Sequence, residues 1–192
     1  VIAPAGNGNN KDMSIGVPGN NPYVITVGAM DDNSTPLDTS DDVVASFSSF
    51  GPTLEGFMKP EVIAPGANVK GLVAKNSRLA DKNKKSGISG TSQATAVTAG
   101  VVALMIQQDP SLMPDEIKCR LMSSASLATK QNGELAFSRY AQGAGLINAS
   151  AAINATVVGC ANNGLDISND INLRSHYFGP AGLGGALLGE ET

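Results

Sequence analysis

Ser89-Gly90-Thr91-Ser92-Gln93-Ala94-Thr95-Ala96-Val97-Thr98-Ala99-Gly100 is the stretch that decides how this chain folds. Small residues make a turn, and the run that follows stays apolar or small to about Gln108, where Asp109-Pro110 stops it. This pattern predicts a helix apolar on nearly all sides, buried between layers rather than presenting a solvated face. Its start carries the chemistry. The first N–H groups of a helix lack intrahelical partners and the macrodipole is positive there, so a Ser92 hydroxyl can attack a carbonyl while its own N–H faces the oxyanion that forms. A simple helix cap is the plainer reading of the same serine.

Outward from this helix, short β-branched runs bounded by Gly, Pro and Asn predict strands over 1–5, 23–29, 43–47, 61–64, 69–74 and 85–88. Pro114, Asp115 and Glu116 place a proline and two acids in the first turn of a second helix running to about Ser124. A third helix is expected over 147–155. Strands followed by a central apolar helix predict an α/β fold. At the other end of the first strand, Gly6-Asn7-Gly8 sets a side-chain amide on a glycine-flanked turn, where it suits a second oxyanion donor as well as an ordinary turn asparagine.

Composition narrows the classes. The 192 residues are 42% hydrophobic and 16% charged, which suits one globular domain with a core. With 13 basic and 17 acidic residues the net charge is −4, so a nucleic-acid partner is not expected, because that affinity rests on clustered Lys and Arg. The longest apolar-biased run, 94–106, is shorter than the roughly 18–20 residues of a membrane span. A membrane partner is therefore not expected either. Cys119 and Cys160 are open to two readings, one disulfide in an oxidising compartment or two separate thiols, and their spacing suggests no zinc site. After Cys160 the texture turns to Asn, Gly and Asp and ends in Gly182-Leu183-Gly184-Gly185, which divides the chain into 1–156 and a loop-rich extension or linker, 157–192.

Five ordered segments resemble the subtilisin-like serine peptidases, from Val1 to about Ile153. Ala3-Pro4-Ala5-Gly6-Asn7 resembles the oxyanion segment of that family, and Pro22-Tyr23-Val24-Ile25-Thr26-Val27-Gly28-Ala29 its following strand. Phe47-Ser48-Ser49-Phe50-Gly51-Pro52, continuing into Lys59-Pro60-Glu61-Val62-Ile63-Ala64-Pro65-Gly66, is similar to another family signature. Gly90-Thr91-Ser92-Gln93-Ala94 matches the nucleophile motif, and Gln142-Gly143-Ala144-Gly145-Leu146-Ile147-Asn148-Ala149 the segment closing the catalytic domain. The resemblance implies a mostly parallel sheet flanked by helices, lacking the N-terminal part of the domain. It implies Ser92 as nucleophile, Asn7 as oxyanion donor, and Ala3, Pro4, Ala5 and Gly6 as part of the pocket wall for the side chain preceding the cleaved bond. A polypeptide substrate, secretion and no cofactor follow from the same resemblance.

Two departures matter. The family supplies a His, oriented by an Asp, upstream of its oxyanion Asn, and a serine hydroxyl is a poor nucleophile without such a base. The single histidine, His176, lies in the tail outside the family's His-Gly-Thr context and reads as a surface residue. The chain, which opens in a strand with no leader, is thus expected to work with an N-terminal part of the same peptidase. Four residues after the nucleophile the family has Pro-His, where this chain has Ala96-Val97. Two other classes stand beside the peptidase: a non-catalytic pseudopeptidase or binding module, and an α/β-hydrolase esterase using Ser92, Asp166 or Asp170, and His176. Ala94 breaks the esterase elbow G-x-S-x-G. A dinucleotide fingerprint starting at Gly6 fails at Lys11. Asp31, Asp32, Asp38, Asp41 and Asp42 crowd one polar loop, read as a solvated surface, although family members often bind structural Ca²⁺.

Overall fold

The strands β1 (Ile2–Pro4) and β2 (Ile25–Asp31) run parallel, with Ile2 opposite Ile25 and Pro4 opposite Val27. β2 is the centre of the sheet because its residues are apolar or small on both faces, and all but Asp31 are buried. In the computed structural model, which describes residues 1–35, 38–74, 76–77 and 85–177, two further strands join it. β3 (Val43–Val44) pairs antiparallel with its end and β4 (Val62–Pro65) pairs parallel along its length. Alternation of the backbone groups fixes the edges. Ala5 and Ala45 donate to the carbonyls of Val27 and Ala29 (2.9 and 2.8 Å), whereas Glu61 and Gly66 donate to Thr26 and Met30 (3.0 and 2.9 Å). β1 and β3 therefore share one edge of β2, and β4 holds the other. Residues 144–147 extend the sheet beyond β4, through Ile63 N–H to Gly145 O (2.9 Å) and Ile147 N–H to Ile63 O (3.0 Å). β5 (Val69–Leu72) and β6 (Lys85–Ile88) form a separate antiparallel pair.

Helix α1 (Thr91–Gln108) lies across β1, β2 and β4, and α2 (Pro114–Ser124) starts where Pro114 and the Glu116 carboxylate, accepting the Met113 N–H at 2.8 Å, were expected to start it. α3 (Arg139–Gln142) and α5 (Ile167–Ile171) are too short to leave a hydrophobic period in sequence, and α4 (Ala149–Asn154) is capped by Asn148 Oδ1. The core unites Ile25, Val27, Ala29, Val62 and Ala64 of the sheet with Ala94, Val101 and Met105 of α1.

The expectation that α1 is buried on all sides is corrected. Thr91, Ala94, Thr98, Val101 and Met105 face the sheet, while Ala96, Ala99, Gly100, Ala103, Leu104 (49% exposed) and Ile106 (43%) face outward. The helix has two apolar faces, and the described residues form a layer on one of them.

The described tail is fastened to α2. Cys119 and Cys160 form a disulfide with a Cα–Cα distance of 5.2 Å, and Asn162 bridges Lys118 (3.1 Å) and Asp115 (2.6 Å). Residues 178–192, including the Gly182–Gly185 run, lie outside the described residues. Beneath the tail, at the N-terminal ends of β2 and β4, Glu61 Oε1 accepts from Lys59 Nζ (2.6 Å) and Lys118 Nζ (2.8 Å), each of these side chains being 1% exposed. Glu61 Oε2 accepts the Thr26 N–H, and the two ammonium groups also reach the carbonyls of Val24 and Pro22. Burial pushes the Glu61 carboxyl up, but Lys118 and Lys59 outweigh it and hold it below its ordinary value. Burial brings Lys59 down to about 8 against the pull of Glu61.

Candidate active site

The C-terminal ends of the parallel strands β1, β2 and β4 are where open α/β sheets place their chemistry, and there the N-terminus of α1 meets the turn after β1. The Asn7 side-chain oxygen accepts from the Thr91 N–H at 3.0 Å and from Thr91 Oγ1 at 3.1 Å. Thr91 Oγ1 in turn accepts the Gly6 N–H at 3.2 Å. With its oxygen taken, the Asn7 amide must turn its NH₂ the other way. A β-carbon built on Gly90 would stand 3.6 Å from Asn7 Nδ2 and 3.8 Å from the Ser92 nitrogen, so both donors border the space left by the missing side chain of Gly90. Gln93 Oε1 borders the same space, 2.8 Å from that point.

Ser92 is exposed at the second position of α1, beside the fully packed Thr91. An 18-residue helix with no acid in its first turn keeps a positive end here, equivalent to about half an elementary charge. Asn7 and Ser92, 85 positions apart in the sequence, are thus brought to one helix tip. Ala3 and Ala5 are buried in β1 and its continuation, with Pro4 and Gly6 half-buried beside them. Sequence reasoning passed over Thr91, although it lies inside the Gly90-Thr91-Ser92 motif that drew attention.

His176 and Asp170 do meet, with Nδ1 to Oδ1 at 2.6 Å, but elsewhere. The imidazole stacks on Phe57 (centroids 5.4 Å apart) and covers Gly56, on the loop leading to β4, at the opposite end of the strands from Ser92. The Ser92–Asp170–His176 arrangement of an esterase is not assembled. In the acidic loop, Asp31 and Asp32 accept the N–H groups of Asn33 and Ser34, and Asp38 and Asp41 accept from Ser40 and Thr35. Among the described residues no group of three metal-ligating side chains comes together, and no helix is long and apolar enough to cross a membrane. A cavity of about 870 Å³ opens between Met30, Val44, Phe137 and Leu146, and none of the residues discussed for the site lines it.

Residues 1–145 match the Subtilase family (Peptidase S8). The chain is 41% identical over 161 residues to serine protease AprX of Bacillus subtilis (strain 168), a match covering 80% of this chain and 35% of that protein. Fervidolysin from Fervidobacterium pennivorans, a keratinolytic enzyme related to subtilisin, superposes with a TM-score of 0.64 at 26% identity, over 83% of this chain and 23% of that one. The patellamide maturation protease PatA gives a TM-score of 0.55 at 30% identity, over 80% of this chain and 50% of that one. This chain spans about a third of the length of AprX and half or less of these two solved structures. With a family match over three quarters of its length and a subtilisin-like α/β sheet beneath it, the chain belongs to the subtilase family.

Proposed function

We propose that this chain is the C-terminal portion of a secreted serine endopeptidase that cleaves peptide bonds through an acyl-Ser92 intermediate. The observation that carries the reading is the orientation of the Asn7 amide: Thr91 holds its oxygen, and its NH₂ and the Ser92 N–H border one space. In the proposed reaction Ser92 Oγ attacks the scissile carbonyl and gives up its proton to a histidine, oriented by an aspartate, of the N-terminal part of the peptidase. The carbonyl oxygen becomes an oxyanion held by the Ser92 N–H, the Asn7 NH₂ and the positive end of α1. Collapse expels the amine, which takes the proton, and water then hydrolyses the acyl-serine. Acyl transfer of this kind needs no cofactor. Ala3, Pro4, Ala5 and Gly6 wall the pocket for the side chain preceding the cleaved bond.

The outward apolar face of α1 supports an N-terminal partner. A stripe of Ala96, Ala99, Gly100, Ala103, Leu104 and Ile106 is what a second packed layer covers, and the outer edge of β1 carries no strand among the described residues. Labelling the full-length protein with a fluorophosphonate tests the reading. The expected result is one adduct on Ser92, absent in Ser92→Ala. An adduct elsewhere, or none on protein that cleaves peptides, overturns it.

A further inference from the structure

We infer that Ser49 is a positioning residue for Asn7, setting the turn that carries the oxyanion donor; this rests on the reading of Asn7 and Ser92 above. Thr91 holds the side chain of Asn7 and, through its Oγ1, the Gly6 N–H. The two peptide groups that Asn7 itself belongs to are held by one residue of the segment after β3. Ser49 donates its N–H to the Gly6 carbonyl at 2.9 Å, and its hydroxyl oxygen accepts the Gly8 N–H at 2.9 Å. Both peptide groups flanking Asn7 are therefore tied to Ser49, which is fully buried. The ladder continues with Asn9 N–H to Phe47 O (3.1 Å) and Asn10 N–H to Ser48 O (3.0 Å), so the turn cannot drift as a unit.

The flanking glycines fit the same arrangement. A β-carbon on Gly6 would stand 2.8 Å from Ser49 Oγ and one on Gly8 2.9 Å from it, and Gly6 holds φ near +112°. The hydroxyl occupies the hollow of the turn, which a side chain on either neighbour would close. Its oxygen rather than its bulk is what matters: alanine fills nearly the same space and leaves the Gly8 N–H without this acceptor. The Gly6–Gly8 turn then rocks, and the Asn7 NH₂ moves relative to the Ser92 N–H. A misplacement of about 1 Å costs on the order of 10²-fold in rate, and complete loss of an oxyanion donor in subtilisin costs roughly 10²–10³. A partial displacement falls below both.

The test is a double-mutant cycle on the full-length peptidase, with kcat and KM measured for the parent, Ser49→Ala, Asn7→Ala and the pair. Ser49→Ala is expected to lower kcat roughly tenfold with KM within about twofold, and to have no further effect once Asn7 is alanine. Ser49→Cys, a close isostere with a weaker acceptor, is expected to fall between, and it replaces the alanine variant in the cycle if that variant does not fold. An unchanged kcat in Ser49→Ala, or the same fold-loss with and without Asn7, overturns the positioning role and leaves the oxyanion reading standing. Full kcat in Asn7→Ala overturns the oxyanion reading and the role of Ser49 with it.

Discussion

Replacing Glu61 with glutamine removes the carboxylate that two buried ammonium groups share. Lys59 and Lys118 lie 2.6 and 2.8 Å from the same oxygen, and all three side chains are 1% exposed. Breaking a buried pair by removing one partner costs about 3–5 kcal/mol, because the remaining charge cannot return to water. Here one substitution strands two charges, so a loss of about 4–5 kcal/mol is expected at pH 7. The intact cluster already carries strain of this kind: holding Lys59 charged when its value has dropped from 10.5 to about 8 corresponds to about 3 kcal/mol. That term has a sign. Between about 8 and 10.5 the unfolded chain binds the proton and the folded one does not, so the contribution of Lys59 to stability rises with pH across that window. The carboxylate matters less once Lys59 is neutral, so the penalty of Glu61→Gln should shrink between pH 7 and pH 9.5. Urea unfolding followed by far-UV circular dichroism at both pH values measures it. A penalty under about 1 kcal/mol at pH 7, or one unchanged at pH 9.5, refutes the reasoning about desolvated charge. A triple replacement of Lys59, Glu61 and Lys118 by Met, Leu and Met should recover most of the loss.

Acid should unfold the protein partly through the same residue: the Glu61 carboxyl lies below its ordinary value when folded, so its contribution is present above about pH 4.5 and lost as pH falls further, a dependence that Glu61→Gln should abolish in an acid titration. If Asn7 is the oxyanion donor proposed above, Asn7→Ala should lower kcat by roughly 10²–10³, the cost of losing such a donor in subtilisin, with the thermal midpoint nearly unchanged. Thr91→Val should cost about tenfold in kcat, because the Asn7 amide keeps one of its two fixing bonds, from the Thr91 N–H; wild-type turnover would show that the amide is oriented by something else. Reducing the Cys119–Cys160 bond, which spans 41 residues, should remove about 3–4 kcal/mol in the chain-entropy description, read as a lower urea midpoint with reductant. Ala99→Arg on the outward face of α1 should cut the activity of the full-length peptidase at least tenfold if an N-terminal layer packs there, and unchanged activity argues that the face stays in solvent.

Local signals carried the elements whose causes are local. Pro114 with two acids begins α2, Asp109-Pro110 ends α1, and the β-branched run expected over 23–29 covers most of β2, because caps, breakers and strand propensity all act within a few residues. Ser92 and Asn7 stand out as candidates for the same reason, each on a short motif with its own chemistry. α3 and α5, at four and five residues, left no period to read. The loop after β3 gave no sign in its own composition that it would clamp a distant turn.

Sequence alone determined which residues can attack, donate or cap, since those are properties of side chains and their neighbours. Tertiary structure decided which of them meet. Thr91 takes the Asn7 oxygen across 84 positions of the chain, Ser49 grips Gly8 across 41, and Glu61, just before β4, draws in Lys118 from α2. His176 finds Asp170 but settles at the far end of the strands, away from Ser92. The physical reason is that a parallel sheet gathers the ends of strands remote in sequence at one edge, and no pattern within a segment records which distant segment will arrive there.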